Sequence, residues 1–158
     1  ASQIRDIFRS LSSSQSGKRF FSTEWEVLRD REYLWIQKKD SSPLIPELII
    51  EEIERTSSFV IPRDKHIACL DADKLNHPLT IRKWERGDKF IPLGMNGKKK
   101  VSDYLTDKKY SLFQKENQYV VCSGEDIVWL VNERSDHRYR ITDSTQRILL
   151  IKIKKDGQ

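Results

Sequence analysis

Apolar residues in the first forty or so positions switch from a helical spacing to a strand-like one. Between Ile4 and Leu11 they recur at i, i+3, i+4 and i+7, which predicts a short amphipathic helix. A Ser-rich loop over residues 12–17 follows. Residues that favour β-structure then flank a charged turn at 29–32, which predicts a hairpin over residues 25–38. A short helix and a β-hairpin therefore form a connecting segment.

The pattern over residues 48–55 is ambiguous. Pro46 and the spacing of the isoleucines favour a helix, whereas the extended character of residues 57–61 favours a strand, which we prefer. Further strands are predicted at 66–71, 79–84, 119–122, 127–131, 139–142 and 147–153, and helices at 101–109 and 111–117. This is an α+β pattern with a β-rich second half. A turn at 76–78 divides the chain into a segment 1–76 and a domain 77–158.

Positive charge is concentrated in one part of the chain. The net charge is +5, and residues 81–109 carry 9 Lys or Arg against 4 Asp or Glu, whereas residues 1–78 carry 12 against 13. A local excess of this kind is typical of a surface that meets a polyanion, although a solvated lysine-rich loop has the same composition. No apolar run approaches the roughly 20 residues of a membrane span.

The residues that could form a catalytic or metal site are not arranged as one. His66, His77 and His137 lack metal-ligand spacing, and no phosphate-binding loop or nucleophile motif is present. Cys69 and Cys122 lie far apart within apolar runs and are predicted to be buried thiols. We therefore expect no catalytic centre, metal or cofactor in this chain.

The basic excess coincides with a run rich in glycine. Gly94 and Gly97 precede three lysines, Lys98, Lys99 and Lys100, which come just before a predicted helix. This pattern predicts a phosphate-binding surface. Trp84, Phe90 and Tyr104 are interleaved with the cations and could either stack on bases or pack in the core. Asp88, beside Gly87, is predicted to be a turn residue, and residues 134–139 form either a phosphate-facing loop or an exposed hairpin end.

This block also carries a family resemblance. The run within residues 82–104 resembles the C-terminal domain of bacterial tRNA(Ile)-lysidine synthases, and so do residues 134–139 and the strand at 147–153. Segments 16–22 and 28–34 resemble the connecting segment of that family. The central motif reads Gly87-Asp88-Lys89-Phe90-x-Pro92-Leu93-Gly94-Met95-x-Gly97-Lys98-Lys99-Lys100.

The resemblance implies a layered β/β/α domain, similar to a domain of the phenylalanyl-tRNA synthetase beta subunit. It implies a non-catalytic tRNA-binding region of a bacterial cytoplasmic enzyme, which uses ATP and Mg to join lysine to C2 of the wobble cytidine in the CAU anticodon of tRNA(Ile). That chemistry belongs to an N-terminal domain with a phosphate loop absent here, so no catalytic residue is assigned. Implied partners are the tRNA(Ile) acceptor stem and that N-terminal domain, with a second copy of the chain as a further candidate.

Phosphate contacts are assigned from the resemblance to seven cations: Arg82, Lys89, Lys98, Lys99, Lys100, Lys108 and Arg134. Two other functions stay open at this point. The chain could be a self-standing RNA-binding module of another process, or an interaction domain whose basic block meets an acidic protein.

Overall fold

The computed structural model describes residues 45–155 in full and the backbone of residues 19–21, 25–30 and 33–38. The chain divides into two compact units, Ala1–Leu44 with Lys109–Asn117, and Ile45–Lys108 with Gln118–Gln158. The predicted helix near Ile4 lies outside the described residues.

The first unit contains a three-stranded antiparallel sheet in the order β1-β2-β3. Its strands are β1 (Arg19–Phe21), β2 (Trp25–Asp30) and β3 (Tyr33–Lys38). Trp25 of β2 lies opposite Lys38 of β3, and the pairing continues to Asp30 and Tyr33. The predicted hairpin over residues 25–38 is confirmed.

The second unit contains two further sheets and a small ribbon. Its strands are β4 (Leu48–Glu54), β5 (Ala68–Asp71), β6 (Leu79–Lys83), β7 (Lys89–Phe90), β8 (Lys99–Lys100), β9 (Tyr119–Ser123), β10 (Asp126–Leu130), β11 (Arg134–Ser135) and β12 (Arg147–Ile153). One sheet has the order β4-β12-β5, another has the order β11-β10-β9-β6, and β7 pairs with β8.

Helical structure is limited to short elements. The α-helices are α1 (Val101–Asp107) in the second unit and α2 (Leu112–Glu116) in the first, and single 3₁₀ turns cover Ala72–Lys74 and His137–Tyr139. Helix α2 begins with a capping box between Ser111 and Gln114, which satisfies the otherwise unpaired backbone donors of its first turn. In the part of the chain that the structure describes, no helix is long and apolar enough to cross a membrane.

The core of the second unit lies among residues of β5, β9, β10 and β12. Leu70, Val121, Trp129, Leu149 and Ile151 are at most 2% exposed and belong to one apolar cluster. Burying each such side chain contributes about 1.5–3 kcal/mol relative to leaving it in water. Strand β10 is buried at four successive positions, which explains why its sequence is a continuous apolar run rather than an alternating one.

The α+β class predicted from the sequence is confirmed, and so are most of its elements. Residues 48–54 form a strand, which resolves the ambiguity at that segment in favour of the extended alternative. The strand predicted at 139–142 is wrong, because Asp136 caps a 3₁₀ turn there by accepting a hydrogen bond from the backbone N–H of Arg138. The predicted division at residues 76 and 77 falls within the second unit, since β4 and β5 both pair with β12; as a family-level boundary it stays a prediction.

Candidate nucleic-acid interface

The basic block folds into two tight turns, one before and one after β7. Strand β7 pairs with β8 to form the β7–β8 ribbon. The first turn runs from Glu85 to Asp88, and Gly87 at its third position has φ +95°. The second runs from Pro92 to Met95, and Gly94 at the same position has φ +89°. Both glycines have the positive φ that turns of this kind require, so these two positions explain the spacing of glycine in the motif.

Asp88 holds the first turn together. Its carboxylate accepts a two-pronged pair of hydrogen bonds from the Arg82 guanidinium, at 2.8 and 3.1 Å, and another from the backbone N–H of Glu85 at 2.7 Å. Burial works to raise the pKa of Asp88, but these hydrogen bonds outweigh it and hold the pKa below its ordinary value. The hydrogen bond to Asp88 likewise raises the pKa of Arg82. Asp88 is thus a turn residue, as predicted, and Arg82 already has an anionic partner.

Asp136 stabilises the start of the second turn by hydrogen bonding. Its side chain is completely buried and accepts hydrogen bonds from the backbone N–H of Ile91 at 2.9 Å and from Nε of Arg138 at 3.0 Å. The backbone N–H of His137 donates to the Ile91 carbonyl at 2.7 Å, and that of Gly94 donates to His137 Nδ1 at 3.1 Å. The second turn and the segment 134–139, some forty residues apart in the sequence, are therefore held together by hydrogen bonds.

Two lysines of the ribbon face each other directly. Lys89 of β7 is paired with Lys100 of β8, and both side chains are exposed. Lys98, one residue before β8, is exposed as well. None of these three lysines, which we call the lysine ribbon, makes a salt bridge within the described residues. Like charges placed opposite each other across a ladder are destabilising, so this arrangement favours an anionic partner.

The side chains of Lys99, which belongs to β8, and Lys108 lie beside Tyr104. Their ammonium groups are 5.9 and 5.7 Å from the centre of the Tyr104 ring, and Lys99 also pairs with Asp107. Tyr104 packs edge-on against the buried ring of Phe90, with ring centres 5.4 Å apart. Phe90 and Tyr104 are therefore core residues and not a stacking platform, while Lys99 is already partly neutralised.

Arg134 lies on a different strand from the lysine ribbon, next to Ser135, whose carbonyl accepts a hydrogen bond from the Leu93 N–H of the second turn. It lies on β11 opposite Leu130 and lines a concavity together with Arg63 and Lys65. Sequence reasoning missed Arg63 and Lys65, although a charged run directly after Pro62 was the signal that could have found them. Of the seven predicted contacts, Lys89, Lys98 and Lys100 lie in or next to the ribbon with exposed side chains. Lys99 and Lys108 both lie over the Tyr104 ring. Arg82 is bound to Asp88, and Arg134 lines the concavity.

The remaining reactive groups form no site of their own. Cys69 and Cys122 are free thiols, as predicted, but only Cys122 is fully buried; Cys69 is partly buried, and desolvation raises its pKa to about 11. Within residues 45–155, no cluster of three or more His, Cys, Asp or Glu could hold a metal ion. The candidate binding groups of the described surface are therefore the exposed lysines of the lysine ribbon, which suit an anion.

Comparison with known proteins shows which family this chain is similar to. A tRNA(Ile)-lysidine synthase of Bacteroides thetaiotaomicron is 53% identical over 97% of this chain, which spans 36% of that relative's length. The family model described as "TilS substrate binding domain" matches residues 1–39. The chain therefore corresponds to about a third of the relatives it matches.

Two solved structures are similar to parts of this chain. A crystal structure of the TilS C-terminal domain matches 70% of this chain and 85% of its own length, with a TM-score of 0.59 at 18% identity. An N-terminal fragment of the phenylalanyl-tRNA synthetase beta subunit from Pyrococcus horikoshii matches 55% of this chain with a TM-score of 0.49 at 19% identity. This chain belongs to the tRNA(Ile)-lysidine synthase family and has the fold of that family's C-terminal domain.

Proposed function

We propose that this chain is the non-catalytic tRNA-binding region of a tRNA(Ile)-lysidine synthase, and that the lysine ribbon contacts the phosphate backbone of the tRNA acceptor stem. The observation that carries the proposal is the pairing of Lys89 with Lys100. Both are exposed and lack a carboxylate partner among the described residues, whereas Arg82 and Lys99 have one.

The chemistry of these lysines suits a backbone better than a base. A lysine ammonium is a flexible point charge that binds phosphate without reading sequence, whereas base recognition uses fixed hydrogen-bond geometry. The ribbon itself is held in place by the Asp88 and Asp136 hydrogen bonds at its two turns. A rigid support with mobile charged ends can track a duplex of any sequence, and specificity then comes from elsewhere in the enzyme.

The proposal extends to the whole protein by family membership. In the full-length enzyme, ATP and Mg would act in a separate N-terminal domain, which would join lysine to C2 of the wobble cytidine of tRNA(Ile) in the bacterial cytoplasm. The chain described here would add affinity for tRNA and no catalytic group. Arg134 and Lys108 would contribute secondary phosphate contacts.

Binding of tRNA by the 158-residue chain across a salt series tests the proposal. Each phosphate that the protein neutralises on a duplex steepens the log–log salt dependence by about 0.9. We expect binding that weakens steeply with salt, and no AMP release when ATP, lysine and tRNA are supplied. Competition by an acidic polypeptide at matched charge separates the alternatives: a polypeptide that displaces tRNA at equal concentration would instead favour an acidic-protein partner.

A further inference from the structure

A small concavity lies beside the second turn and the segment 134–135, and none of the three lysines of the lysine ribbon lines it. Its volume is about 190 Å³, less than the roughly 300–1,000 Å³ of pockets that enclose drug-sized ligands. Trp129 and Cys69 contribute to its wall, and so do Ile61, Ile67 and Leu93. Ile61 is 48% exposed and Leu93 is 42% exposed, so apolar surface at this concavity faces solvent.

Cations from two separate segments line the same concavity. Arg63 and Lys65 come from the loop before β5, and Arg134 comes from β11. None of the three has a salt-bridge partner among residues 45–155. The nearby Asp64 side chain already accepts a hydrogen bond from the backbone N–H of His66 at 2.9 Å, within its own turn.

A buried acceptor on the lining also lacks a partner. Glu133 lines the concavity, and its Oε2 atom is shielded from solvent without any hydrogen bond. A shielded carboxylate oxygen of this kind costs stability unless a donor reaches it. Because this oxygen is enclosed by the protein, a ligand in the concavity would not reach it, and the carboxylate instead offsets part of the positive charge there.

We propose that this concavity receives one unpaired nucleotide of the bound RNA, with the base against Ile61, Ile67 and Leu93 and its phosphate near Arg63, Lys65 and Arg134. The proposal rests on the RNA-binding function proposed above and adds a second, single-stranded contact to it. An apolar patch beside three cations matches a nucleotide, which is a flat apolar ring attached to an anion, and the three cations outnumber the two carboxylates of the lining, Asp64 and Glu133. An apolar peptide would use the wall but leave the three cations unpaired.

Two hairpin RNAs test the proposal with the 158-residue chain. Both have the same stem, but one ends blunt and the other carries a short single-stranded 3′ tail containing 2-aminopurine, whose emission reports a change of stacking. The parent chain should bind the tailed RNA about tenfold more tightly than the blunt RNA, the gain that one well-packed base supplies. The emission of 2-aminopurine should change on binding.

Leu93→Ser and Met95→Ser form the matched pair of variants. Both residues are exposed apolar side chains of the same turn, at 42% and 40%, but only Leu93 lines the concavity. Leu93→Ser should remove most of the tail's advantage and the emission change, although it alters no charge, and Met95→Ser should keep both. Ile61→Ser repeats the test on the opposite segment, in case Leu93→Ser disturbs the turn.

The outcomes separate this proposal from the one on which it depends. If the tail improves binding equally in the parent, Leu93→Ser and Ile61→Ser chains, the nucleotide pocket is overturned, while phosphate binding by the lysine ribbon stands. If the parent binds neither RNA, the proposed function fails and the pocket proposal fails with it.

Discussion

The carboxylate of Asp136 accepts a 2.9 Å hydrogen bond from the backbone N–H of Ile91, 45 positions earlier in the chain. The same carboxylate accepts hydrogen bonds from Arg138, and its side chain is completely shielded from solvent. One side chain thereby joins the turn after β7 to the turn after β11. Asp136 and Arg138 therefore have a structural role in this region.

We expect Asp136→Ala to lower the free energy of unfolding by about 2–4 kcal/mol, because it leaves buried backbone and guanidinium donors without an acceptor. Chemical denaturation monitored by circular dichroism measures the loss. Asp143→Ala is the control, since Asp143 is exposed and makes no salt bridge among the described residues. Equal stability of the two variants would show that Asp136 does not hold the turns.

The sequence predicts the strands of this fold better than it predicts their arrangement. Strands β9, β10 and β12 are long apolar runs, and their burial follows from composition alone. The placement of β12 between β4 and β5 depends on pairings across nearly a hundred residues, which no local pattern encodes. The β7–β8 ribbon was missed because each strand has only two residues, too few to show an alternation.

The candidate site was also predictable only in part, because the sequence shows local composition but not contacts between distant residues. A cluster of cations is visible in composition, and Lys89, Lys98 and Lys100 stay predicted phosphate contacts, which the structure places in or next to one ribbon with exposed side chains. The partners of a cation are not visible there, since Arg82 meets Asp88 and Lys99 meets Asp107 only in the folded chain. Arg63 and Lys65 were missed because their neighbour Arg134 lies about seventy positions away.

Acid should weaken the chain partly through Asp88. Because its pKa is lowered in the folded state, ionised Asp88 adds stability above its ordinary pKa of about 3.9, and this contribution is lost as pH falls through the lowered value. The stability difference between the parent and Asp88→Asn should therefore be large at pH 7 and shrink as the pH falls below about 4. Denaturant unfolding at each pH measures it, and a difference that stays constant over this range would contradict the assignment.

Gly94 and Gly97 should respond differently to the same substitution. Neither has an atom within 4 Å of the position that a Cβ would occupy, but only Gly94 has a positive φ, at +89°. Gly94→Ala should cost about 1 kcal/mol or more from backbone strain alone, while Gly97→Ala should lie within about 0.5 kcal/mol of the parent. Thermal or denaturant unfolding of the two variants checks this, and equal losses would mean that the turn at Pro92 is not the one described.

Removing one charge of the facing lysine pair should stabilise the fold. Lys89→Gln relieves the repulsion from Lys100, so we expect a gain of about 0.2–1 kcal/mol in the free energy of unfolding. Lys98→Gln is the control, because Lys98 is exposed but lies outside the paired positions. The gain should shrink in high salt, where exposed charges are screened. A loss of stability in Lys89→Gln at low salt would argue against repulsion at this pair.

The double variant Lys89→Gln/Lys100→Gln tests the central claim most directly, because it removes the facing lysines and spares every described salt bridge. Its matched control is Lys152→Gln/Lys155→Gln, which changes net charge equally at two exposed lysines at and beyond β12. The measurement is the affinity for tRNA over a salt series. We expect the ribbon variant to bind more weakly to every tRNA and to lower the log–log slope by roughly two, about one for each lost phosphate contact, while the control keeps the parent's slope. If both variants share the parent's affinity and slope, the lysine ribbon does not contact tRNA.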